Sequence, residues 1–121
     1  MYSIIPHPIL PEEKALAANK EILPEYTVFF VHNLPRTETN NRHAITISAG
    51  NYLDTTSTDI MYLNHSCDPN LKFDSENLVF ISTRSILVGE TLCFDYTLTE
   101  IEISSPFYCI CGSSPCKGRI D

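Results

Sequence analysis

Asn64-His65-Ser66-Cys67-Asp68-Pro69-Asn70 is the stretch on which the reading of this chain turns. It is polar and contains a proline, so it reads as a loop, and a thiol there is placed for ligation rather than for packing. Just upstream, Thr58 to Leu63 has room for one or two helical turns, with Ser57 or Thr58 as N-cap and Asp59 near the positive end. That turn runs directly into the loop. Downstream, Thr91 to Tyr96 reads as a strand, and Cys93, alternating with Phe94 and Asp95, as a small buried hydrophobe within it.

A second cysteine cluster stands near the C-terminus, in Cys109-Ile110-Cys111-Gly112-Ser113-Ser114-Pro115-Cys116-Lys117-Gly118. Three thiols fall close together among turn formers, so the backbone can fold around a point and direct Cys111 and Cys116 at one ion. A closed structural zinc site needs four ligands. Spacing alone leaves the fourth open among Cys67, Cys93 and the histidines. The N-terminus has neither a basic segment nor a sustained apolar one, so no secretory signal is visible and an intracellular setting, cytoplasmic or nuclear, is expected. Thiols are kept reduced there, which favours metal ligation over disulfides.

At 121 residues the chain has room for one domain. The formal charge of −7 argues against a nucleic-acid binder that relies on phosphate neutralisation; no direct nucleic-acid contact is expected, and cationic peptides suit the surface better. The longest apolar runs, Val28 to Val31 and Leu78 to Ile81, are far below the length needed to span a bilayer, so no membrane partner is expected. Thr27 to His32, Ala44 to Ser48 and Leu78 to Ser82 read as further strands, with turn chemistry over Asn33 to Arg42. Pro6, Pro8 and Pro11 make the first eleven residues a lead-in rather than a helix. Glu12 to Glu21 has helix-forming composition yet is short and runs into Pro24, so a weak helix and a loop leading into a strand both remain open. Short strands with one brief helix predict a mostly β, mostly antiparallel fold.

Three segments together resemble a known family. Asn64 to Asn70 is similar to the first signature of SET-domain protein lysine methyltransferases, Gly89-Glu90-Thr91-Leu92-Cys93-Phe94-Asp95-Tyr96 to their second, and the cysteine tail to their post-SET motif. The resemblance implies short curved antiparallel sheets with a knot-like C-terminal segment, a SET domain over residues 1–104 and a post-SET segment over 105–121. It implies one structural zinc ion held by Cys67, Cys109, Cys111 and Cys116. It also implies S-adenosylmethionine as cofactor, contacted by Tyr62, Asn64, His65 and Phe107, and a lysine-containing protein or peptide, basic in character, as substrate. Tyr96 would be the catalytic tyrosine, and Phe94 would influence how many methyl groups are added.

The likeness weakens toward the N-terminus. The family's Gly-x-Gly loop corresponds here to the stretch Glu13 to Ile22, without either glycine, and Met61 stands where an arginine often precedes the aromatic of the first signature. Glycine allows positive φ and close approach of a ligand to the backbone, so Glu13 and Ala15 are expected to narrow or reshape the cofactor site. Two readings follow from different classes: an active lysine methyltransferase, or a degenerate SET module that keeps the zinc-stapled fold for binding or structure.

Overall fold

The structure, a computed structural model, describes residues 1–39, 44–48, 50–56, 58–98, 107–109 and 116–120. The chain opens with β1 (Tyr2–Pro6) and β2 (Lys14–Ala18), an antiparallel pair in which Tyr2 faces Ala18 and Pro6 faces Lys14. The expected lead-in is therefore a strand. Pro6 is tolerated because it ends β1 on an edge, where a missing N–H breaks little. The helix-forming run Lys14 to Ala18 is likewise extended. Its other edge is occupied by residues 90–92, since the Ala18 N–H donates to the Glu90 carbonyl (2.9 Å) and the Leu92 N–H to that of Leu16 (2.8 Å). Ala15 to Ala18 are all buried. With partners on both edges, burial overrides a propensity worth only tenths of a kilocalorie per residue.

β3 (Thr27–Phe30), β4 (Arg36–Thr37), β5 (Ala44–Ser48) and β6 (Asn51–Asp54) follow. β4, β6 and β5 form one antiparallel sheet in that order, so the expected turn over Asn33 to Arg42 carries a short strand. The turn ahead of the first signature is a 3-10 helix, Asp59–Tyr62. Thr58 takes the N-cap position with extended backbone, but its hydroxyl donates to the Thr55 carbonyl (3.1 Å) and leaves the helix start uncapped by a side chain. Ser57, the other cap candidate, lies outside the described residues.

Next come β7 (Asn64–His65), β8 (Leu71–Asp74), β9 (Val79–Ser82) and β10 (Cys93–Phe94), then a 3-10 turn at Tyr96–Leu98, β11 (Phe107–Tyr108) and β12 (Arg119–Ile120). β3, β9 and β8 form a second antiparallel sheet with β9 central. Leu78, expected in β9, has left-handed backbone (φ 54) and ends the turn before it. β10 pairs with β7 in parallel, Cys93 opposite Asn64 and Phe94 opposite His65. The expected strand over Thr91 to Tyr96 shrinks to Cys93–Phe94 because β7 is itself only two residues long.

Leu16, Leu53, Leu71, Ile86, Leu92 and Phe80 fill the centre. Phe80 meets Phe29 edge-on (centroids 6.3 Å apart) and Phe94 (5.0 Å), and Phe94 meets Tyr96 (4.8 Å). An aromatic row thus runs from the core to the second signature. At the far end of β9, the fully buried Ser82 hydroxyl accepts the Tyr26 N–H (2.8 Å) and donates to the Leu23 carbonyl (2.6 Å). It holds the 23–26 turn, in which Glu25 has φ 59. Ser82→Ala leaves both backbone groups without that partner and is expected to cost about 2 kcal/mol in urea unfolding. An unchanged midpoint would show that water replaces the hydroxyl.

Candidate active site and thiolate cluster

The parallel pairing of β7 with β10 brings the two signatures together. Tyr96 leaves β10 and turns back on the first signature: its hydroxyl donates to the Leu63 carbonyl (2.8 Å) and its N–H donates to His65 Nδ1 (3.0 Å). The His65 and Tyr96 rings meet edge-on at 5.2 Å. Because Nδ1 accepts that N–H, the proton of the neutral imidazole sits on Nε2, which faces Cys67 Sγ at 3.3 Å. Burial holds the His65 pKa below its ordinary value, Lys117 adding to this and Asp95 opposing it. The ring is almost wholly inaccessible, so any cofactor contact at His65 comes from its backbone.

Asn64 and Tyr62 lie partly exposed at the edge of β2. The Asn64 amide donates to the Lys14 carbonyl (3.1 Å), and the Lys14 ammonium stands over the Tyr62 ring, 5.2 Å from its centroid. Glu13 and Ala15 keep negative φ, the positive-φ residues other than glycine among those described being Glu25 and Leu78. The absent glycines therefore impose no backbone strain. Phe94 is buried between Phe80 and Tyr96. Phe107 lies in β11 opposite Ile120, its side chain outside the description.

The first signature also meets the C-terminal cysteines. Cys67 Sγ and Cys109 Sγ are 3.9 Å apart, and the Nε2 of His65 completes a cluster whose ligand atoms all lie within 4.8 Å. Two thiolates on one tetrahedral zinc, each at about 2.3 Å, stand about 3.8 Å from each other, so the pair fits a zinc edge. His65 does not fit as a ligand, because its Nε2 carries the proton that Nδ1 cannot hold while accepting the Tyr96 N–H. Cys116 lies beside the cluster without joining it, its sulfur 3.8 Å from the Cys109 carbonyl, and Cys111 lies outside the described residues. Cys93 stays apart from this group. It is half-buried, with its N–H on Asn70 Oδ1 (3.0 Å), and burial pushes its thiol pKa up.

Two residues with no role in the sequence reading are built into the site. The buried Asp95 carboxylate accepts the Lys117 ammonium (2.8 Å) and the Thr97 hydroxyl (2.6 Å) and N–H (3.0 Å). Burial by itself would raise the Asp95 pKa, but these hydrogen bonds outweigh it and hold the carboxyl below its ordinary value. A depressed carboxyl contributes stability above the unfolded pKa of about 3.9 and loses it as pH falls through the folded value. Urea unfolding should therefore weaken from about pH 4 downward, and Asp95→Asn should flatten that leg. Equal slopes for parent and variant would remove Asp95 from the acid response. Asp95 lay within the second signature and Lys117 beside the last cysteine, but 22 residues of sequence separation hid the pairing. Elsewhere, an open depression lined by Arg36–Glu38, Gly50 and Asn51 shares no residue with this site.

The SET domain family model matches residues 2–97, and the chain belongs to this family. A methyltransferase of Aspergillus flavus, flvH, is 45% identical over 65 residues, covering 52% of this chain and 36% of its own. Human histone-lysine N-methyltransferase 2D is 33% identical over 84 residues, covering 64% of this chain and 1% of its own. This chain thus spans about a third or less of the length of these relatives. Among solved structures, KRYPTONITE in complex with mCHG DNA and SAH matches with TM-score 0.64 and 23% identity, over 88% of this chain and 26% of that one. That likeness carries the fold. No helix among the described residues is long and apolar enough to cross a membrane.

Proposed function

We propose that this chain transfers a methyl group from S-adenosylmethionine to a lysine side chain of a basic protein or peptide inside the cell. The observation that carries the reading is the parallel pair of signature strands, which sets the Tyr96 hydroxyl 2.8 Å from the carbonyl next to Asn64. It agrees with the methyltransferase and histone-lysine methyltransferase names of the relatives and with the SAH of the KRYPTONITE complex.

In this reading Asn64, the His65 backbone, Tyr62 and Phe107 hold the cofactor, which supplies a methyl group on a sulfonium. A lysine amine has an ordinary pKa near about 10.4 and must lose its proton before its lone pair can attack. The aromatic wall of Phe94 and Tyr96 disfavours the ammonium form and orients the nitrogen, so positioning supplies much of the acceleration. The Tyr96 hydroxyl, turned by Leu63, presents its oxygen lone pairs as acceptors beside the reacting groups. Cys67, Cys109, Cys111 and Cys116 hold one structural zinc ion. Residues 1–104 form the catalytic domain and 105–121 the zinc segment that closes on it.

Calorimetry with S-adenosylmethionine, followed by transfer of labelled methyl groups to lysine peptides, tests the reading. Tyr96→Phe should bind cofactor and lose on the order of a hundredfold in turnover. No binding at millimolar cofactor by folded, zinc-loaded protein would sink the enzyme. One observation favours a second reading as a non-catalytic, zinc-stapled binding module: Lys14 covers Tyr62 and engages Asn64, two of the residues assigned to the cofactor. Failure of cofactor binding in an otherwise stable protein is its signature.

A further inference from the structure

Lys117 follows the last cysteine of the tail, and it touches the residues on both sides of Tyr96. Its ammonium donates to Asp95 Oδ2 (2.8 Å) and to Thr97 Oγ1 (2.6 Å), while its backbone N–H donates to Cys67 Sγ (3.2 Å). Cys67 in turn faces His65 Nε2 (3.3 Å), and His65 Nδ1 accepts the Tyr96 N–H (3.0 Å). The contacts close a ring: sulfur, tail lysine, the two neighbours of the tyrosine, the tyrosine backbone, imidazole, and sulfur again. The His65–Cys67 link is local, but the links of Lys117 to Asp95, Thr97 and Cys67 and of Tyr96 to His65 each join stretches 20 or more residues apart. Tyr96 is the member of the ring whose side chain points elsewhere, its hydroxyl aimed at the Leu63 carbonyl.

We infer that Lys117 is a positioning residue for Tyr96, coupling the seating of the cysteine tail on Cys67 to the orientation of the tyrosine. This rests on the catalytic reading of Tyr96 proposed above. The geometry gives the reason. Tyr96 begins a 3-10 turn of only three residues, which is too short to hold its own direction. Asp95 and Thr97 bracket that turn, and one ammonium clamps both. With the tail away, Asp95 keeps only Thr97 among these partners, and the turn loses the clamp that joins its two flanks while Tyr96 keeps its contacts with Leu63, His65 and Phe94. Zinc-dependent closure of the tail then sets the active-site geometry without any zinc ligand touching the substrate.

The test uses the full chain, zinc-loaded, as Lys117→Met, Lys117→Arg and the double variant Lys117→Met with Asp95→Asn. In Lys117→Met the amide resonance of Tyr96 should shift and its solvent exchange rise about tenfold. Turnover should fall about tenfold with KM for the cofactor unchanged, since misplacement of a reacting group acts on the chemical step. Lys117→Arg, which keeps charge and donors, should recover most of that loss. The double variant removes the stranded buried carboxylate and should regain thermal stability while staying slow. A merely structural role predicts the opposite, turnover returning with stability. That result, or an unmoved Tyr96 amide in Lys117→Met, overturns the inference. If the parent protein transfers no methyl group, the activity reading has failed, and the amide shift and exchange alone decide the coupling.

Discussion

Removing zinc should release one ion per chain and unfasten residues 107–109 and 116–120 before the rest of the described fold. Cys67 and Cys109 lie 42 residues apart in sequence, with sulfurs 3.9 Å apart and no disulfide between them. Two thiolates at that distance repel, so the arrangement needs a cation or a proton between them. A cation supplies far more: binding free energy in small zinc modules is on the order of 10 kcal/mol, comparable with the whole stability of a domain this size. Among the described residues, what else holds the tail is the Lys117 ammonium on Asp95 (2.8 Å) and Thr97 (2.6 Å) together with a short run of backbone pairing. β11 and β12 are two residues each, the Cys109 N–H donates to the Gly118 carbonyl (2.6 Å), and Ile120 is buried. Metal analysis should find one zinc per chain, and hydrogen exchange after chelation should lose protection first at residues 107–109 and 116–120. Cys67→Ser should mimic the chelated state. Protection unchanged by chelator would mean that the Lys117 clamp, apolar contacts and backbone pairing hold the tail unaided, and the zinc assignment would fall.

How far the sequence reached depended on the range of the interaction that decided each feature. Ala44 to Ser48 was legible because its composition and its pairing agree. Lys14 to Ala18 was not, because its composition favours helix and only residues 90–92, far along the chain, supply the second edge that makes it a strand. Tyr2–Pro6 was hidden by prolines that matter only in the interior of a sheet. The signatures named Tyr96, Asn64 and Cys67, and the β7–β10 pair brings the two signatures side by side. They did not reveal that the His65 ring faces inward, since a histidine beside a cysteine in a polar loop reads equally well as a surface group. Nor could they show Lys117 on Asp95, whose pairing exists only once the tail has folded back.

Asn70, the last residue of the first signature, should prove a highly sensitive polar position outside the metal site. It is 1% exposed. Its Nδ2 donates to the Thr91 carbonyl (2.9 Å), its Oδ1 accepts the Cys93 N–H (3.0 Å), and its own carbonyl accepts the Thr83 N–H (2.9 Å). One side chain thus substitutes for a strand along residues 91–93, where β10 has only the two-residue β7 to pair with. Asn70→Ala removes the hydrogen bonds to Thr91 and Cys93 and leaves the part-buried Thr91 carbonyl and Cys93 N–H without that partner. At about 1 to 3 kcal/mol for each orphaned group, the expected loss is about 4 kcal/mol, a large part of a small domain's stability. Asn70→Asp is the sharper probe. It keeps the acceptor for Cys93 but turns a second oxygen toward the Thr91 carbonyl, so it should recover little and recover most at acidic pH, where the carboxyl regains a proton to donate. Urea unfolding of both variants across pH decides the matter. If Asn70→Asp matches the parent at neutral pH, the donor to Thr91 is dispensable, and the register that brings Phe94 and Tyr96 to the first signature is set by backbone pairing with β2 and β7.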